Sequence, residues 1–389
     1  MKNRAMAIGL ILVLALSGSV SAVSQTRKPL PWKGKIEVEN GIPVVRNPKG
    51  PMSQEPIFKL EEELAIRGGT LQQEDRSFQR IMALAVGVKG TIYVLDQRAG
   101  DVKVFDETGT FSGKIGRKGP GPGEFESPDR IVITPRNEMM VNDLNRRAVL
   151  VFDLEGRYLR QIPVTMPFFD GPKVNSKGEL FAAFATMGET FAFQLAKLDS
   201  ALKPALIIAS VPFEQPPKVN IFLYASGTDL RWDIMGKDLI VWGAMTSPDY
   251  ELFVHSPEGK LVRKIVREFD PVKLTAAEYE KLMTKWFGRI PSPGRFQFII
   301  PKDYPPMQTL LGDDEGRIFV KRYESVEKGD RAFLDVFDDE GKFITNVILP
   351  IRPVAALFKG GKLYTIEEDD EGFRLVKRYR VYWANSRRL

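Results

Sequence analysis

The chain has 389 residues, a formal charge of +6, 43% hydrophobic residues, one histidine and no cysteine. The missing thiols exclude a lipoprotein thioether anchor, disulfides, thiolate metal sites and cysteine nucleophiles. The lone histidine excludes zinc sites built from several imidazoles and chemistry that needs a histidine pair.

Residues 1–22 read as a signal peptide. Lys2 and Arg4 precede an apolar run from Ala7 to Leu16, and Val20-Ser21-Ala22 offers the small residues of a cleavage site. The run falls short of the roughly 20 residues of a membrane span, and retention as an interfacial anchor is the alternative. The mature chain is therefore expected to be exported, periplasmic or extracellular, without a transmembrane segment. Residues 23–55 form an N-terminal extension. Within it Ile36 to Glu39, Asn40-Gly41 and Ile42 to Val45 predict a hairpin with a two-residue turn, and Pro43 restricts its strand to an edge.

Residues 56–389 carry a repeat. Asp96 and Asp143, Phe105 and Phe152, Asp106 and Asp153, and Gly109 and Gly156 are each 47 residues apart. Four short β-rich runs fill the first unit: Ile81 to Val86, Thr91 to Leu95, Val102 to Phe105 and Phe111 to Ile115. Units of this length with four strands and tight turns are the signature of a β-propeller. Weaker copies follow around Lys177-Gly178, Gly236-Lys237, Glu315-Gly316 and Gly361-Lys362, which makes six blades. The sixth lacks a fourth strand, and Phe58 to Arg67 is expected to supply it and close the ring. Between blades four and five, Thr275-Ala276-Ala277-Glu278 is a capping box that opens a helix through Trp286. A Pro-rich stretch follows, so residues 271–306 read as an insertion, with a hidden seventh blade as the alternative. The fold class is thus all-β, a six-bladed propeller of four-stranded antiparallel blades.

The run Ile115-Gly116-Arg117-Lys118-Gly119-Pro120-Gly121-Pro122-Gly123-Glu124-Phe125-Glu126-Ser127-Pro128, with the blade-two core after it, resembles the NHL repeat. In that pattern a glycine-rich turn and a Phe…Pro pair precede an inner strand, a Val-x-Asp and an apolar strand ending in Phe-Asp-x-x-Gly. NHL repeats place Asn and Arg three and five residues after the Asp, whereas Asn145 and Arg147 stand two and four after Asp143. Over residues 36 to 381 the chain is also similar to exported bacterial six-bladed propellers that carry an N-terminal hairpin. The resemblance implies the fold. Nucleic acid, a partner of intracellular NHL propellers, is not expected for an exported chain.

No catalytic residue is assigned. His255 stands four residues before Gly259, as Phe105, Phe152 and Phe337 stand before Gly109, Gly156 and Gly341, so it takes the packing position of the repeat's aromatic. Asp96, Asp129 and Asp143 are the carboxylates that could serve a metal. For Asp96 and Asp143 a turn-fixing role is the favoured reading. No cofactor is expected, with calcium as the alternative. Strand two–three turns and blade-to-blade connections share one face of a propeller, which gathers Arg98, Arg117, Lys118, Arg130, Arg146 and Arg147 there, with Trp286 and Tyr304 of the insertion. A basic rim beside aromatics suits an anionic small molecule, a glycan or a protein, and a solvated rim is the plain alternative. The functional expectation is an exported binding or scaffold propeller rather than an enzyme. The alternative is a hydrolase or lyase using a divalent metal and carboxylates in the channel.

Overall fold

Successive side chains of a strand point to opposite faces of its sheet, so an unbroken apolar run such as Ile92-Tyr93-Val94-Leu95 needs a packing partner on each side. The ring supplies both. The structure is a computed structural model that describes residues 31–53, 57–68, 77–187, 191–213, 218–220, 229–287, 297–323, 331–349 and 353–383. Residues 1–22, read above as a signal peptide, lie outside the described residues.

The chain begins with a hairpin, β1 (Lys35–Glu39) and β2 (Ile42–Asn47), and a single strand β3 (Phe58–Ile66). Blade one is β4 (Ile81–Val86), β5 (Ile92–Asp96), β6 (Asp101–Phe105) and β7 (Phe111–Ile115). Blade two is β8 (Pro128–Ile133), β9 (Glu138–Asp143), β10 (Ala148–Asp153) and β11 (Tyr158–Pro163). Blade three is β12 (Lys173–Val174), β13 (Leu180–Met187), β14 (Phe191–Leu198) and β15 (Pro204–Pro212). After a short β16 (Lys218–Asn220), blade four is β17 (Leu230–Met235), β18 (Leu239–Ala244), β19 (Glu251–His255) and β20 (Leu261–Arg267). The insertion holds the helix α1 (Ala276–Phe287) and β21 (Gln297–Ile299), which pairs in parallel with β16. Blade five is β22 (Thr309–Gly312), β23 (Ile318–Lys321), β24 (Ala332–Phe337) and β25 (Phe343–Leu349). Blade six is β26 (Ala355–Lys359), β27 (Lys362–Glu368) and β28 (Arg374–Trp383), completed by β3 on the outside.

The innermost strands follow one another round the ring, and β26 returns to β4. Each boundary between blades holds one apolar cluster, so the core is six wedges rather than one centre. Alternate residues of one strand serve alternate wedges. Met139 and Val141 pack toward blade one, while Met140 packs toward blade three. The repeat also carries a fixed irregularity. The ladder shifts register at Phe105, Phe152, His255 and Phe337, opposite Phe111, Tyr158, Leu261 and Phe343.

Ring closure is by the N-terminal strand, as the missing outer strand of blade six requires. β3 lies antiparallel to β28 from Phe58 against Trp383 to Ile66 against Val376. The hairpin differs from expectation. β2 is not an edge strand: it pairs in parallel with β20, which makes blade four's sheet six strands wide and leaves β1 outermost. Pro43 is accommodated because the parallel ladder starts one residue later, at Val44 against Lys264. From there the chain crosses blade five, where Met52 and Ser53 donate to the Phe343 and Ile344 carbonyls. The segment before the repeat is thus a strap over three blades. Among the described residues of the insertion there is one helix and one short strand, and no seventh blade sheet. The capping box forms as expected, with Thr275 N–H on the Glu278 carboxylate at 3.1 Å and Glu278 N–H on the Thr275 hydroxyl at 3.2 Å.

Candidate functional site

The top face carries the strand two–three turns and the connections between blades. Asp96 and Asp143 end the second strands of blades one and two there, fully buried. Asp96 accepts from the Gln79, Arg80 and Ala99 N–H groups at 2.7, 2.9 and 3.2 Å. Asp143 does the same for Glu126, Ser127 and Arg146 at 2.7, 3.0 and 3.2 Å. Both oxygens of each carboxylate therefore pin a connection to a turn, so these two metal candidates belong to the scaffold. Blade one adds the buried Lys103, where blade two has Leu150, and Asp101 pairs with its ammonium at 2.7 Å. Burial raises the Asp101 carboxyl, and Lys103 opposes that shift.

The third candidate, Asp129, lies elsewhere, at the top of the innermost strand of blade two. Its carboxylate accepts from Asn142 Nδ2 at 2.7 Å and stands 3.7 Å from the Arg130 guanidinium. Asp170 occupies the matching place before blade three, where it accepts from the Ala183 N–H and Trp232 Nε1, each at 2.9 Å. Burial pushes both carboxyls above their ordinary value; Arg130 counters it at each. Gly171 (φ +81°) lets this turn lie on Arg130, since a Cβ there would stand 2.9 Å from Arg130 Cβ. Lys173 follows, over the Trp232 ring at 4.5 Å and paired with Asp233 at 2.9 Å, while Asp233 also accepts the Gly312 N–H. Arg231 on β17 donates to the Gln308 carbonyl at 2.8 Å. The mouth of the channel between blades two and five is thus a chain of alternating charges, with the Arg130 side chain 52% exposed.

Around this mouth the basic residues divide. Arg98, Lys118 and Arg147 are exposed on the rim, joined by Arg80. Arg117 is exposed but paired with Glu124 at 2.7 Å. Arg146 is no rim group: its guanidinium is nearly buried and donates to the Gly119 and Gly121 carbonyls at 3.1 and 2.7 Å, clamping the glycine-rich turn. Tyr304 likewise faces inward, stacked on Tyr323 at 5.5 Å in a small core with Met245 and Met283 that seats α1 on blades four and five. Burial raises the Tyr304 hydroxyl to about 12. The Trp286 side chain lies outside the described residues. His255 is buried, accepts from Trp242 Nε1 at 3.2 Å and stacks on that ring, as the aromatic position of the repeat requires.

Asp170, Lys173, Arg231, Trp232 and Asp233 were not singled out from the sequence. One signal was present: the 41-residue offset from Asn137 to Gly178 carries Asp129 onto Asp170. The others depend on which blades meet at the axis. Among the described residues no group of three His, Cys, Asp or Glu side chains could hold a metal ion, and no helix is long and apolar enough to cross a membrane.

The architecture defines a class, the six-bladed β-propellers. A family model described as DUF5128, 6-bladed beta-propeller, matches residues 71–195. Among solved structures, a Bacteroides fragilis protein described as exported is similar over 87% of this chain and 99% of its own, at 12% identity and a TM-score of 0.54. Virginiamycin B lyase of Staphylococcus aureus is similar over 83% of this chain and 99% of its own, at 9% identity and a TM-score of 0.45. A gluconolactonase of Xanthomonas campestris is similar over 82% and 98%, at 12% identity and a TM-score of 0.44. At these identities the likeness is one of fold. The comparison with curated proteins finds no match.

Proposed function

We propose that the chain is an exported binding propeller that takes an anionic small molecule or glycan at the channel mouth of its top face. The observation that carries this reading is Arg130: a half-exposed guanidinium at the top of an innermost strand, backed by Asp129. Arg80, Arg98, Lys118 and Arg147 add positive charge on the same side. A cationic rim concentrates anions, and a preformed cationic contact at its centre would orient them. Export rests on the signal-like residues 1–22. A binding role fits better than metal-dependent hydrolysis because Asp96 and Asp143, which such a site would need, hold backbone turns.

The test uses residues 23–389 with oligogalacturonate as the anionic probe and a neutral maltooligosaccharide as its control. Calorimetry at low salt should detect only the anionic probe, with affinity falling as salt screens the rim. Arg130→Glu combined with Arg147→Glu should weaken binding at least tenfold while far-ultraviolet circular dichroism still shows the folded ring, with a lower melting temperature because Arg130 counters the buried Asp129 and Asp170 carboxyls. Equal binding of the two probes, or affinity that survives both reversals, would move the site off the top face.

A further inference from the structure

The outer edge of blade four is built to pair. The Asn40-Gly41 turn has φ of +52° and +79°, the type I′ geometry of a two-residue hairpin. Such a turn makes Glu39 and Ile42 the hydrogen-bonded pair beside it, and pairs then alternate along the ladder. Lys35, Glu37 and Glu39 therefore direct their N–H and C=O groups toward β2, and Ile36 and Val38 direct theirs outward. β1 is the last strand of its sheet, and among the described residues no backbone group meets that outer side. The Ile36 and Val38 side chains share one face and are 52% and 71% exposed. Native sheets usually avoid β-branched residues on an open edge.

We propose that this edge pairs antiparallel with β1 of a second copy, about a two-fold axis through Glu37. The pattern of β1 is self-complementary in that register. Ile36 meets Val38 of the second copy, twice, and these are the residues whose backbone groups face outward, so four hydrogen bonds form. Lys35 meets Glu39 of the second copy, again twice, so the charges that ordinarily guard an edge become unlike neighbours. Glu37 meets its own equivalent, and that repulsion is offset because Lys35 and Arg46 of the same chain each stand 2.5 Å from its carboxylate. The contact is isologous, as closed dimers require. With five residues a side it is small, so the dimer forms in proportion to concentration.

A cysteine-free chain makes the test clean. Glu37 sits in a non-hydrogen-bonded pair, whose Cα atoms lie about 4.5 Å apart, within reach of a disulfide. Under mild oxidation Glu37→Cys in residues 23–389 should cross-link at least tenfold faster than Lys35→Cys or Glu39→Cys. Adding Val38→Pro should abolish the cross-link while the circular dichroism spectrum stays unchanged, because the Val38 N–H serves only the outer side. Sedimentation of the unmutated chain should shift from monomer toward dimer between about 1 and 100 μM. Equal cross-linking at the three positions, or a monomer throughout, would overturn the proposal. So would dimerisation seen only after deletion of residues 23–30, since the chain's own N-terminal segment would then be the occupant.

Discussion

At Asn47 one short side chain completes the backbone pairing of two blades and the strap. Its Oδ1 accepts the Phe343 N–H at 2.7 Å and Trp32 Nε1 at 3.0 Å, and its Nδ2 donates to the Gly341 carbonyl at 2.9 Å. Asn47→Ala would leave a buried donor and a buried acceptor unpaired, for a loss of about 2–4 kcal/mol in urea unfolding. Asn47→Asp keeps the volume but aims a carboxylate oxygen at the Gly341 carbonyl, so it should destabilise as well. His255 permits a different measurement. Burial lowers its pKa from 6.5, so the folded state holds the neutral ring while the unfolded chain takes up a proton first. The stability this contributes is complete above about pH 6.5 and is lost as pH falls toward the folded value. His255→Phe should stay folded, with about 1–3 kcal/mol of overpacking and a further cost for the Trp242 Nε1 donor left without its acceptor, and its melting temperature should fall less than the wild type's between pH 7 and 5. A steeper acid loss in the variant would contradict the packing role. The register of the repeat already made His255 a packing residue from sequence. Asn47 gave no such signal, because all its partners lie on other segments.

The strap and the insertion are the elements that depart from the repeat, and they differ in how the core uses them. β2 and β3 bury Val44, Val45, Phe58 and Ile66. At about 1.5–3 kcal/mol each, these side chains weigh against a whole-domain stability of about 5–15 kcal/mol. Deleting residues 23–55 should give a folded ring with a clearly lower melting temperature, because β3 still closes blade six. Deleting residues 23–67 should yield insoluble chain, since it exposes the β28 edge along its length. Equal solubility of the two truncations would show that closure does not depend on β3. The hairpin was legible from Asn40-Gly41 and the closing strand from the missing fourth strand of blade six. That the hairpin lies along β20 was not legible, because parallel pairing across more than 200 residues leaves no local mark.

At the scale of the molecule, every blade shares a wedge of core with two neighbours, and the strap joins the last to the first. Unfolding should therefore be one transition. Tryptophan fluorescence reports on the strap, blade four, the insertion and blade six through Trp32, Trp232, Trp242, Trp286 and Trp383, far-ultraviolet circular dichroism reports on all blades, and their urea midpoints should coincide. Separate midpoints would mean that part of the ring opens alone. The glycine-rich turn before blade two and the insertion before blade five lie on opposite sides of the ring, so a ligand touching both must sit on the axis.

The sequence by itself determined the blade. Its strand lengths, turns, buried Asp positions and aromatic register are local, repeat every 40 to 50 residues in blades one and two, and need no knowledge of neighbours. It also placed the carboxylates of Asp96 and Asp143 in turns, since an acid ending a strand has nearby N–H groups to accept. Tertiary structure alone decided which charges face the axis. Arg130 and Arg146 belong to the same blade and read alike in sequence, yet one is half exposed at the mouth and the other clamps a turn. The difference arises because Gly119 and Gly121 turn their carbonyls toward Arg146, while Asp170, Lys173 and Trp232 reach Arg130's neighbourhood only when blades three and four close round the channel.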